Sequence, residues 1–118
     1  MATTLAIAFV AVLHLLFMVL EMFFWTRPLG RRIFGLGHEL AGKTAALAAN
    51  QGLYNGFLAA GLIWGLLDQA NEFITLFFFL SCVIIAGIYG ALSVSKSIFW
   101  VQAFPAIIAL SLLLATRA

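Results

Sequence analysis

His14 and Glu21 stand seven residues apart in AVLHLLFMVLEMFFW, residues 11–25, a run that is otherwise apolar. An imidazole and a carboxylate are groups that proton relays and general acid/base catalysis use. Seven residues along a helix return to the same side within about 20°. Both groups therefore face one way, with Met18 between them and about 10 Å of helix axis separating them at 1.5 Å per residue. They do not reach each other directly, so each needs a partner on another helix. An acid at the centre of a bilayer costs roughly 2.5–3.5 kcal/mol on insertion scales. Glu21 lies nearer a helix end, where the cost is lower but still unfavourable. Such a group belongs against a protein interior or a wet cavity and marks a functional site.

The stretch TAALAANQGLYNGFLAAG, residues 44–61, offers those partners. Asn50 and Tyr54 are one turn apart and share a face, with Gln51 and Asn55 flanking them. Counting rise per residue, Glu21 lies about 6 Å inside its span, Asn50 about 9 Å, and Tyr89 and Gln102 about 6–8 Å. Glu21, Asn50, Gln51, Tyr54, Tyr89 and Gln102 are thus expected at one depth as a polar layer, with His14 deeper. Amides in spans also act as interhelical glue worth about 0.6–2 kcal/mol, a competing reading that weighs most for Asn55 and Gln102. Glu39 stands four residues before Lys43, either as a solvated ion pair or as a lid group above the layer.

The elements that must position these groups follow from composition. Of 118 residues, 65% are hydrophobic and 8% charged, with mean hydropathy +1.17; soluble domains carry about 25% charged residues. Four stretches are long and apolar enough to span a bilayer, about 3–25, 44–67, 73–93 and 98–116. They are joined by TRPLGRRIFGLGHELAGK, DQANE and SKS. The last two connections force antiparallel neighbours. The expected fold is all-α, a membrane-embedded antiparallel four-helix bundle forming one domain over 1–118.

Arg27, Arg31, Arg32 and Lys43 lie in the first connection and Lys96 in the third, whereas the second holds Asp68 and Glu72. The positive-inside rule then places 26–43 and 94–97 in the cytoplasm and both termini on the other side of a plasma (inner) membrane. Arg117 argues the other way and is outvoted. The N-terminal run lacks a basic n-region and an A-x-A site, so it reads as a retained helix rather than a signal peptide.

Gly52 and Gly56, extended by Ala48 and Ala60, and then Gly61 and Gly65, have the small-residue spacing that lets helices approach closely. They suit packing within the bundle or a homodimer seam. Pro28 stops the first helix, and Arg31 and Arg32 with Ile33, Phe34 and Leu36 suit an interfacial stretch near anionic headgroups. Pro105 should kink the last span and free a carbonyl. Cys82, the one cysteine, sits in an apolar run as a small buried residue would. HEL at 38–40 lacks the second histidine of a zinc-protease motif, and His14, His38, Glu21 and Glu39 are too dispersed to suggest a metal. No nucleotide-binding loop or catalytic triad pattern is present. No cofactor, metal or nucleic-acid partner is expected; the partner is the lipid bilayer, with a homodimer as an option.

The stretches HLLFMVLEMFFWTRPLGRRIFG and LAANQGLYNGFLAAGLIWG, with Glu39 between them, resemble the bacterial family catalogued as domain of unknown function 1304. The resemblance covers nearly the whole chain and includes His14, Glu21, Glu39, Asn50, Gln51, Tyr54 and Asn55. It implies a small four-span membrane protein and brings no activity with it. Three functions fit the residues: transport of a small solute or coupling to protons through Glu21, acid/base chemistry on a lipid-like substrate, or a structural role with the polar layer as glue. The first accounts best for an acid within a span; whether the protein is an enzyme stays open.

Overall fold

The computed structural model describes residues 1–117; Ala118, the last residue of the expected domain, lies outside the described residues. The described residues are helical nearly throughout and include no strand. Five α-helices follow one another: α1 (Ala2–Phe23), α2 (Pro28–Phe34), α3 (His38–Leu67), α4 (Glu72–Ser93) and α5 (Phe104–Arg117). A 3-10 turn at Gln69–Asn71 leads into α4, and a π-helical turn at Phe99–Ala103 leads into α5.

Three helical stretches are long and apolar enough to cross a membrane: Ala2–Phe23, Gln69–Ser93 and Phe99–Arg117. They correspond to the expected first, third and fourth spans. The expected second span, 44–67, lies within α3, which begins earlier, at His38. Its 30 residues are ample for a crossing. Asn50, Gln51, Tyr54 and Asn55 dilute its apolar character, and it is not one of the three.

Local chemistry explains the breaks. Pro28 occupies the first turn of α2, where its missing N–H costs nothing. Gly35 ends that helix at φ 66°, a left-handed conformation suited to glycine, and the Leu36 N–H returns to the Arg31 carbonyl at 2.9 Å. Pro105 cannot donate to the carbonyl four residues before it, Val101. The chain widens there, and the Phe104 N–H bonds to the Phe99 carbonyl, five residues back. The kink expected at Pro105 thus takes the form of a π-helical turn on its N-terminal side.

The chain divides into two compact units, Met1–Val12 with Leu58–Ala118, and Leu13–Phe57. In the first, Ile7, Val10 and Ala11 of α1, Leu62 of α3, Leu76, Leu80 and Val83 of α4, and Ala106, Ala109 and Leu113 of α5 form a continuous buried cluster. Gly61 lies directly against the Phe79 ring of α4, and a methyl group at Gly65 would come within 2.5 Å of Leu76 Cδ2. At one end of this unit the Thr3 and Thr116 hydroxyls share a 2.8 Å hydrogen bond, and the Arg117 guanidinium lies 4.4 Å from the Phe73 ring centroid, a cation–π contact.

The second unit is built on α2 and the facing parts of α1 and α3. A methyl at Gly52 would meet Met22 Cγ at 2.8 Å, Glu21 Cβ at 3.0 Å and the Met18 carbonyl oxygen at 3.1 Å; one at Gly56 would meet Met18 Sδ at 2.7 Å. Both glycine pairs therefore serve helix contacts inside the chain. α1 lies against Gly52 and Gly56, and α4 against Gly61 and Gly65.

Candidate functional site

The Gly52–Gly56 approach decides which amide reaches the acid on α1. Asn55 lies three residues beyond Gly52, about 60° round the helix, whereas Asn50 is two residues before it, about 160° away. Asn55 is buried, and its Nδ2 donates to Glu21 Oε1 at 2.6 Å. Glu21 itself stays partly accessible. An amide is a versatile partner for a carboxyl group: its N–H₂ donates to a carboxylate, and its carbonyl can accept from the protonated acid.

The expected polar layer is only partly assembled. Asn50, Gln51 and Tyr54 lie on the exposed side of α3. Asn50 and Tyr54, expected as the partners of Glu21, are replaced by Asn55, because the helix phase set by Gly52 turns them away. Tyr54 instead lies near Phe57, ring centroids 6.2 Å apart.

His14 is wholly buried on α1, its ring edge-on to Phe17 at 5.5 Å between centroids. Glu39 is strongly exposed and pairs with Lys43 at 3.1 Å, an i,i+4 ion pair on a solvated face rather than a group held over Glu21. Tyr89 and Gln102 belong to the other unit. Tyr89 is exposed on α4, and Gln102 is buried in the π-helical turn. Among the described residues, no three His, Cys, Asp or Glu side chains gather closely enough to hold a metal ion.

Trp25, the last residue of the first apolar run, carries a role that the candidate list from the sequence missed. Its indole Nε1 donates to Thr44 Oγ1 on α3 at 3.0 Å, and Thr44 donates to the Leu40 carbonyl at 2.8 Å. The same ring packs on Phe34 of α2 at 4.8 Å. Gly30 sits directly on the Phe24 carbonyl, where no side chain fits. Trp25 thereby joins α2 and α3 at the end of α1 nearest Glu21. The first unit holds an open groove of about 500 Å³ lined by residues including Asn71, Glu72, Phe73, Thr116 and Arg117, none of them a candidate from the sequence.

The family described as "Protein of unknown function (DUF1304)" matches residues 8–114. The chain belongs to this family. A relative is the uncharacterized protein YpaA of Lactococcus lactis subsp. lactis (strain IL1403), 32% identical over 95 residues, which are 79% of this chain and 80% of YpaA. No solved structure matches. The matched region includes both Glu21 and Asn55.

Proposed function

We propose that this DUF1304 protein is a multi-pass membrane protein in which Glu21 and Asn55 form the centre of a small proton-coupled transporter. The observation that carries the reading is the hydrogen bond from Asn55 of α3 to Glu21, an acid within α1, one of the three helices long and apolar enough to cross a membrane. A structural salt bridge would join the acid to a cation. Here the partner is a neutral amide, which can satisfy the carboxyl group with or without its proton. Partial accessibility of Glu21 gives a proton or solute a way to meet it.

In this reading α3 crosses the membrane as the fourth span, and α1, α3, α4 and α5 with its π-helical turn make an antiparallel four-helix bundle. The length of α3 supports this. The arginines between α1 and α3 orient residues 26–43, and with them 94–97, to the cytoplasm of a plasma membrane, leaving both termini on the other side. Acid/base chemistry on a lipid-like substrate draws less support, since its second group, His14, is enclosed.

The test is proton flux in liposomes under a potassium diffusion potential, followed with an internal pH dye. Wild-type protein should conduct protons or a proton-coupled solute, and Glu21→Gln should abolish the flux while keeping the fold. Equal flux in Glu21→Gln and wild type overturns the proposal.

A further inference from the structure

We propose that α2 with the turn entering it is a binding site for the phosphate of an anionic phospholipid, held by Arg31 and Arg32, with Leu29 and Ile33 set among the acyl chains. The inference rests on the membrane reading above but not on transport through Glu21.

The first observation is that α2 is held in a fixed pose. Gly30 is seated on the Phe24 carbonyl, Phe34 packs on Trp25, and Trp25 is tied to Thr44. These contacts consume the Gly30–Phe34 side of the helix. About 100° round the helix from that side stand Leu29 and Ile33, four residues apart, at 47% and 52% exposure. Arg32, also exposed, lies about 60° from Leu29 round the same surface. An apolar edge bordered by arginine is how a helix lies in the plane of a membrane interface.

The second observation is the charge balance. Residues 26–34 carry Arg27, Arg31 and Arg32 and no acid. The next carboxylate along the chain, Glu39, is engaged by Lys43. Arg31 is half-buried, and its Nε is enclosed without a hydrogen-bond partner among the described residues. A guanidinium keeps its charge under all ordinary conditions. Part-burying that charge with no acceptor at Nε is unfavourable, and an anion on the terminal nitrogens, which keep their donors, would supply the missing counter-charge. Phosphate fits that fork geometry. A lipid satisfies both observations at once, since its headgroup meets the arginines and its chains meet Leu29 and Ile33. Free phosphate leaves the exposed apolar edge unexplained.

The experiment uses the full chain with Trp64→Phe and Trp100→Phe, so that Trp25 alone fluoresces. It is reconstituted in vesicles containing brominated phosphatidylglycerol or brominated phosphatidylcholine, which quench a nearby indole. Two nearby arginines, at about 1 kcal/mol each, set an upper bound near thirtyfold on the preference for the anionic lipid, and about threefold or more is expected. Arg31→Gln with Arg32→Gln should bring the ratio close to one, and exposed Arg32→Gln alone should lower it, which keeps the test usable if the double variant folds poorly. Lys96→Gln should leave it unchanged.

Equal quenching by the two lipids in the parent protein overturns the proposal. So does a preference that survives loss of the arginines, or one that Lys96→Gln erases equally, which marks diffuse surface charge. An excess of inorganic phosphate at constant ionic strength should leave the preference in place; erasing it assigns the site to free phosphate and overturns the lipid. Proton flux is read separately, so failure here leaves the Glu21 proposal standing, and the converse holds.

Discussion

Asn55 Nδ2 lies 2.6 Å from Glu21 Oε1, joining α3 to α1 through an acid and a neutral amide. The bond exists because Gly52 and Gly56 let Met18 and Met22 sit almost on the α3 backbone. Packing of small residues and placement of the acid are thus one arrangement, and disturbing either should disturb the other.

Removing the amide tests the bond directly. Asn55→Leu keeps the bulk and leaves Glu21 without its donor. It should destabilise the protein by about 1–3 kcal/mol, the range for a hydrogen bond to a charged or part-buried group. Unfolding in mixed micelles titrated with SDS measures this. Unchanged stability would mean that the bond contributes nothing net.

Widening the α1–α3 contact should act on the same bond from a distance. Gly52→Val places atoms where Met22, Glu21 and the Met18 carbonyl already stand, at a cost of about 1–3 kcal/mol for overpacking. Gly42 is a control on the same helix, since a methyl there meets nothing within 4 Å. Gly42→Ala should stabilise by up to about 1 kcal/mol through helix propensity. Opposite signs for the two variants in one unfolding assay are the expected result.

At Gly30 the obstacle is backbone, which cannot step aside. Gly30→Ala should detach α2 from the end of α1 and open the Trp25–Phe34 contact. With Trp25 as the sole tryptophan, its emission should shift to the red and become more accessible to a water-soluble quencher. An emission spectrum identical to that of the parent would refute this role for Gly30.

The Glu39–Lys43 pair should matter little. Both side chains are mostly exposed, so Glu39→Gln should change stability by less than about 0.5 kcal/mol and leave proton flux untouched. A flux defect in that variant would instead bring Glu39 into the pathway.

The sequence by itself determined the helical class, the membrane-like composition and the family. These follow from local quantities: runs of apolar residues, Pro28 as a stop, Pro105 as an irregularity. It also singled out Glu21, because an acid in such a run is costly wherever its neighbours lie. The structure shows a signal that went unread: Ala41, Ala48, Asn55 and Leu62 recur every seven residues and are all buried.

Tertiary structure alone decided which amide meets the acid, because the phase of α3 against α1 is set by where two backbones touch, at Gly52 and Gly56. It also decided that Asn50, Gln51 and Tyr54 face outward, that Gln102 sits in a π-helical turn, and that Trp25 gathers α2 and α3. A single chain pattern gives the depth of a side chain in its helix. The direction in which that side chain finds a partner depends on a second helix, and only close packing fixes that.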